Sequence, residues 1–303
     1  MSEEESAPLT SRLMMAFGLC VVCNQTALAA TFTVDVIDDT PDDDPGDGVA
    51  EDEFGNTSLR AAVEEANTTT ARDTINFSLG AGDDCIEVLE QIQITEDLTI
   101  NGPGATSLLV NGGLENRVFL IDDNTDVDIS DLTLYGEEDL GSGGCIYNYG
   151  TLDLNDCVLG GFADFGGAIY NDGTGTNDGQ LTLTNSTIEN CLAQLGGGIL
   201  TDDGDVTLDG STIKNCDVDF NGGGITIIYG TVLLKNESVI TLNFATATGG
   251  GIILECGTLT VDNSSVCDNC STEDWDGPDL YCVCGTYSII NGGEICDIDG
   301  CDD

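Results

Sequence analysis

The sequence predicts an all-β chain wound as a single-stranded, right-handed parallel β-helix, or solenoid, with an N-terminal cap containing a short α-helix. Three observations carry this. A glycine cluster followed by Ile recurs as GGCIYN at Gly143, GGAIYN at Gly166, GGGILT at Gly196, GGGITI at Gly222 and GGGIIL at Gly249. Self-similarity at a period of about 20–50 residues is the mark of stacked repeats. A second phrase keeps the same beat: LDLNDCV, LTLTNSTI, VTLDGSTI, VLLKNESV and LTVDNSSV. The apolar material is also of the right kind, since 40% of residues are hydrophobic but only 6% aromatic. Small branched side chains fill a thin layered core rather than a bulky one.

Residues 1–30 read as a secretory signal peptide. Arg12 precedes the apolar run LMMAFGLCVVC, Leu13 to Cys23, and Ala27-Leu28-Ala29 offers small residues at cleavage spacing. The run is short for a membrane span, and no second apolar stretch follows, so the mature chain is expected to lack a transmembrane segment and to work outside the cell or at its surface. Residues 31–80 read as the cap. A solenoid exposes strand edges at its ends and needs covering there. Within TSLRAAVEEA, Thr57 to Ala66, the residues Leu59, Ala62, Val63 and Ala66 form an apolar stripe at helical spacing, with Asn56, Thr57 or Ser58 as N-cap.

Residues 81–285 read as the coils. The repeated Ile residues at 146, 169, 199, 225 and 252 are separated by 23, 30, 26 and 27 positions. The second phrase alternates apolar and polar residues, the period of a strand. It places Leu152/Leu154, Leu181/Leu183, Val206/Leu208, Val232/Leu234 and Leu259/Val261 inward and ends at Val158, Ile188, Ile213, Val239 and Val266. Asn, Asp and Gly between the strands supply turns. Coils stack at about 4.8 Å, so equivalent side chains form ladders. Dense Gly and β-branched residues argue against helices here. Residues 286–303 read as an acidic, Cys-containing tail.

The chain carries 56 acidic and 6 basic residues and no His, for a formal charge of −50. Such a surface repels nucleic acid and anionic membranes, and polyuronates too unless cations bridge the two. Polysaccharide or another surface protein remains as a partner. Export suits the 14 cysteines. Cys267, Cys270, Cys282 and Cys284 form a C-x2-C…C-x-C arrangement open to a zinc site or, with export and no His, to disulfides. Cys191 and Cys216, in TIENC and TIKNC, stack on adjacent coils within disulfide range or as paired thiols. The acidic stretch from Asp38 to Glu53, with Asp42, Asp43, Asp44 and Asp47, and the segment Asp297-Ile298-Asp299-Gly300 are candidate Ca²⁺ ligands. Neither has EF-hand spacing.

The segment Phe32 to Phe77 resembles the CSLREA domain, a module at the N-termini of exported bacterial β-helix proteins. Phe32-Thr33-Val34, Asp39, Gly46-Asp47-Gly48-Val49, Ser58-Leu59-Arg60, Ala66-Asn67 and Asp73-Thr74-Ile75 carry the match. The two cysteines of that family are Ala50 and Thr57 here, and its Glu is Ala61. The coils resemble the polymorphic outer membrane protein repeat and pectate-lyase-like β-helices, and Gly277 to Gly293 resembles the end of choice-of-anchor β-helix proteins. The resemblance implies a non-catalytic exported module for adhesion or carbohydrate contact. A lyase of this architecture would need a basic proton acceptor, and an inverting glycoside hydrolase two carboxylates about 6.5–9.5 Å apart, a spacing that so many Asp residues will meet by chance. Arg60, Arg72, Arg117, Lys214 and Lys235 are the bases beyond the signal, and Lys214 and Lys235, in neighbouring coils, are the weak catalytic candidates. An ice-binding solenoid would need a threonine ladder, and the outward column Asp153, Thr182, Thr207, Leu233, Thr260 supplies three of five.

Overall fold

A computed structural model describes residues 28–82, 85–175, 179–272 and 279–299, the side chains of 139 and 140 excepted. The signal-peptide reading for residues 1–27 lies outside them. The described chain is a parallel β-solenoid. Each coil visits three sheets in turn, and these hold ten, thirteen and nine strands among the described residues. One coil runs through Gln180–Thr184 in sheet 1, Thr187–Glu189 and Leu192–Leu195 in sheet 2, and Ile199–Asp202 in sheet 3. The next coil pairs with it in parallel on every side.

The predicted ladders are in register. Leu152, Leu181, Val206, Val232 and Leu259 stack in sheet 1, with Leu154, Leu183, Leu208, Leu234 and Val261 beside them. All ten are at most 2% exposed. Ile146, Ile169, Ile199, Ile225 and Ile252 stack likewise in sheet 3. Burying each such side chain contributes about 1.5–3 kcal/mol, and the core is the sum of these columns.

Two phrase ends fall differently. Val158 and Val239 align with Thr187 and Thr212, and the inward column is Leu159, Ile188, Ile213, Ile240 and Val266. At Val158 the phrase stops one residue before the inward Leu159, and at Val239 the preceding turn decides. Cys157, Ser186, Ser211, Ser238 and Ser264 are all at most 6% exposed, and the Oγ of each serine accepts the main-chain N–H of its counterpart one coil earlier, at 3.0–3.1 Å. The residue before each adopts a left-handed conformation: Asp156, Asn185, Gly210, Glu237 and Asn263. A lysine turn with one residue more, Lys235-Asn236-Glu237, shifts Val239 outward. Sheet 2 breaks again at Asn190, Asn215, Leu242 and Asp268, all of positive φ. Behind them Cys191, Cys216, Asn243 and Asn269 form a second buried column, whose end the buried Asp279 carboxylate closes by accepting from Asn269.

The cap contains the helix Leu59–Ala66, whose N-cap Ser58 accepts a hydrogen bond from the Ala61 N–H at 2.9 Å. Leu59, Ala62, Val63 and Ala66 lie against the first coils, at most 3% exposed. Arg60 grips Asp39 through two hydrogen bonds of 2.8 and 2.9 Å. The cap segment also supplies sheet 1 with its first strands, Thr31–Val34 and Asp73–Phe77. At the other end, the residues read as a tail continue the solenoid. Thr286–Ile290, Glu294–Ile295 and Ile298–Asp299 pair onto the preceding coil. Two disulfides with both partners among the described residues staple these last coils, Cys256–Cys284 and Cys267–Cys296, with Cα atoms 5.0 and 5.1 Å apart. Each closes a loop about one coil long, worth about 3–4 kcal/mol in the chain-entropy account.

Candidate functional site

Lys214 and Lys235 do not meet. Lys214 lies in sheet 2 and bonds Glu189 at 3.0 Å, whereas Lys235 lies in sheet 1 and bonds Asp209 at 3.1 Å. Each neutralises the acid at its register position one coil earlier. The cysteine arrangement does not assemble either. Cys267 and Cys284 belong to different disulfides, Cys282 is disulfide-bonded, and Cys270 is an exposed thiol. Cys267 and Cys296 sit close to Glu294, but both sulfurs are already bonded to each other. Cys191 and Cys216 are buried free thiols stacked on adjacent coils, and burial pushes the Cys191 thiol well up, with Cys216 beside it adding to the shift.

The column Asp153, Thr182, Thr207, Leu233, Thr260 stands in register on the outer face of sheet 1. It continues to Ser288 at one end and to Asp128, Thr99, Thr74 and Thr31 at the other. Leu233 and the aspartates interrupt its hydroxyls, and Arg72 binds Asp126 and Asp128 across it.

The densest grouping of chemistry lies on the outer face of sheet 3, at residues the sequence reading passed over. The phrases GGCIYN and GGAIYN place Tyr147 directly over Tyr170. Their ring centroids are 4.8 Å apart, and Tyr149 stacks on Tyr147 at 4.5 Å. The Arg117 guanidinium stands 5.1 Å from the centre of the Tyr147 ring, a cation–π contact. Arg117 is 8% exposed and donates to the Ser142 and Gly143 carbonyls and to Gln91 Oε1. Among the described residues it is the one basic side chain without a carboxylate within ion-pair distance. It therefore acts as a clamp under the rings, joining two coils.

Carboxylates flank the rings. The Tyr147 hydroxyl donates to Asp172 at 2.7 Å, and Asp172 also accepts from the Thr174 N–H at 2.9 Å and hydroxyl at 2.6 Å. Asp202 stacks on Asp172 in the next coil. Burial raises the Asp202 carboxyl, with repulsion from Asp172 and Asp203 adding to it. Burial likewise pushes the Tyr170 hydroxyl up to about 12, helped by Asp202 and Asp172, and raises Tyr147 further. Both hydroxyls thus stay protonated and serve as hydrogen-bond donors. The result is a partly exposed aromatic shelf edged by donors and acceptors. An apolar hollow whose described lining is Phe244, Cys270, Ser271 and Thr272 lies elsewhere on the solenoid.

The acids have a collective consequence. Burial raises the carboxyls of Asp42, Asp128, Asp202, Asp217 and Asp279. Asp52 is lowered, its backbone donors Asn56 and Phe54 outweighing burial, and Asp209 is lowered by Asn236 and Lys235. A raised carboxyl binds its proton more tightly in the folded state. Its contribution to stability is therefore present at acid pH and lost as pH rises through the folded value. Self-repulsion at a charge of −50 acts in the same direction. In low salt the melting temperature is expected to fall as pH rises from about 4 through the raised carboxyl range, and added NaCl should recover part of the loss at neutral pH. A melting temperature that rises across this range would contradict the balance drawn here.

No family model, curated protein or solved structure matches the chain.

Proposed function

We propose that the protein is an exported contact module that binds polysaccharide on the outer face of sheet 3 without cleaving it. The observation that carries this is the shelf of Tyr147, Tyr149 and Tyr170 edged by Asp172 and Asp202. Sugar rings present an apolar C–H face and a rim of hydroxyls. Tyrosine rings with polar tips, beside carboxylate acceptors, match both. The charge of −50 favours neutral or amino-bearing chains over polyuronates. The resemblance of Phe32 to Phe77 to the CSLREA domain supports export. Lyase chemistry is disfavoured because Arg60, Arg72, Lys214 and Lys235 are each engaged with a carboxylate and Arg117 is enclosed.

Calorimetric titration against neutral and acidic polysaccharides, with an assay of each mixture for new reducing or unsaturated ends, tests this. Binding without new ends is expected. Tyr170→Ala should weaken it by about tenfold or more, while Thr207→Ala on sheet 1 should leave it unchanged. New ends would overturn the non-catalytic reading. Equal affinity of the Tyr170→Ala protein and the native one would move the contact to another face.

A further inference from the structure

The cap holds a buried carboxylate oxygen with nothing bonded to it. Asp42 is 7% exposed, and its Oδ2 has no hydrogen-bond partner. Its Oδ1 accepts the Asp44 N–H at 3.2 Å, and its own N–H donates to Glu64 at 2.8 Å, so the residue is held in place. An unpartnered buried carboxylate is costly, and proteins pair such groups or place them on a metal.

The surroundings are negative. The loop folds around the carboxylate of Glu65, itself 1% exposed. The Gly46 N–H donates to Glu65 Oε2 at 2.5 Å and the Gly48 N–H to Oε1 at 2.7 Å. Both glycines have positive φ, +103° and +92°, and that conformation lets consecutive donors turn toward one side chain. Asp47 uses Oδ1 to accept the Val49 N–H at 2.8 Å, which leaves Oδ2 available. Glu65, Asp47 and Asp43 all add to the negative field at Asp42. The nearest basic group of the helix, Arg60, is engaged with Asp39 through both donors. A proton or a cation must therefore balance the group.

We propose that the loop spanning residues 42–48, with Glu65 of the cap helix, binds one divalent cation of the hard, oxygen-preferring class, with Ca²⁺ the best match. Asp42 Oδ2 is the buried ligand, and the Glu65 and Asp47 carboxylates draw in around the ion when it binds. Among the described residues no three carboxylates converge there within 4.8 Å. Loop carbonyls and water complete the shell, as Ca²⁺ takes about 6–8 oxygens in adaptable geometry. The other sequence-stretch candidates differ. Asp43 and Asp44 are exposed, and Asp297 and Asp299 are exposed on the last coil, at the opposite end of the solenoid.

The test uses the full chain and Ca²⁺ itself, titrated calorimetrically in physiological NaCl so that loose counterion binding is screened. One saturable class of site is expected. Asp42→Asn should weaken it by at least about tenfold, and Asp153→Asn, which removes an equal charge from the outer face of sheet 1, should leave it intact. Ca²⁺ should also raise the melting temperature of the native protein but not of the Asp42→Asn protein. Should Asp42→Asn fail to fold, Asp47→Asn changes an exposed residue and must weaken the same site. Absence of a saturable class, or equal losses in the Asp42→Asn and Asp153→Asn proteins, would mean a diffuse counterion atmosphere or a bridging water only and would overturn the proposal.

Discussion

Gly197→Val is expected to abolish cooperative folding, a loss above about 4–5 kcal/mol. Gly197 is the second glycine of its corner and has no unusual φ. What it lacks is room. A Cβ there would lie 2.2 Å from the Gly223 carbonyl oxygen and 2.9 Å from the Cys216 Cβ. The same holds along the column, since Gly167 would meet the Gly197 oxygen at 2.3 Å and Gly223 the Gly250 oxygen at 2.2 Å. These contacts are backbone against backbone between coils stacked at about 4.8 Å. No rotamer relieves them, and separating the coils breaks the ladder. Circular dichroism on heating should show no two-state transition near the native one. Gly210→Asn is the contrasting case. Gly210 has φ +60°, but Asn185, Asn236 and Asn263 adopt the same conformation in their turns, and a Cβ there approaches a side-chain oxygen of Asn185 at 3.2 Å. Its melting curve should shift by less than about 1 kcal/mol equivalent. A folded Gly197→Val protein would refute the close stacking of these corners.

That contrast shows why much of the fold is readable in the sequence. A solenoid repeats its steric problem in every coil, so the solution recurs as a phrase, and GG-Ile at Gly166, Gly196, Gly222 and Gly249 marks the crowded corner each time. The inward ladders follow from alternation alone. Register at Val239 does not, because it depends on a turn length, and at Val158 the phrase simply stops one residue short of the inward Leu159. Aligning the buried Cys157 and the serines, rather than the phrase ends, would have given Leu159 and Ile240. The disulfides were within reach as well. Cys256 and Cys284 are 28 residues apart and Cys267 and Cys296 are 29 apart, about one coil, whereas attention to C-x2-C spacing pointed to neighbours within a coil.

The candidate site was harder to see because it is built across coils. Tyr147 and Tyr170 are remote in sequence and become neighbours only through register, with the repeated tripeptide IYN as their one local signal. Arg117 was visible as a base, but its enclosure beneath Tyr147 came from the fold. Lys214 and Lys235 misled for the opposite reason. Both fall in repeat phrases, yet the phrases cross from sheet 1 to sheet 2, and the lysines sit on different sheets. The acidic loop was legible as a ligand source, but which oxygen lacks a partner depends on the Glu65 carboxylate two turns into the cap.

Asn243→Leu is expected to cost about 3–5 kcal/mol, read from the denaturant midpoint at unchanged slope. Asn243 is 1% exposed and stands in the column Cys216, Asn243, Asn269, closed by Asp279. Its Oδ1 accepts the Cys216 N–H at 3.0 Å, and its Nδ2 donates to the Ile213 carbonyl at 3.1 Å and to Asn269 Oδ1 at 2.9 Å. Leucine has the same branched outline, with bulkier methyl groups in place of the amide, and none of these bonds. The Cys216 N–H and the Ile213 carbonyl then lose these partners, each at about 1–3 kcal/mol less whatever water recovers, while Asn269 Oδ1 keeps the Asn243 main-chain N–H at 3.0 Å. Asn243→Asp separates the two halves of the role. Asp279 accepts both the N–H and the Nδ2 of Asn269, each at 2.8 Å, so an acid suffices where only acceptance is needed. At position 243 an ionised Asp would still accept from Cys216 but would set its charge against Asn269 Oδ1. Protonation restores a donor. The Asn243→Asp protein should therefore recover stability as pH falls through its raised carboxyl pKa, and Asn243→Leu should show no such recovery. Identical pH dependence of the two variants would mean that volume, and not the donor–acceptor ladder, holds this corner together.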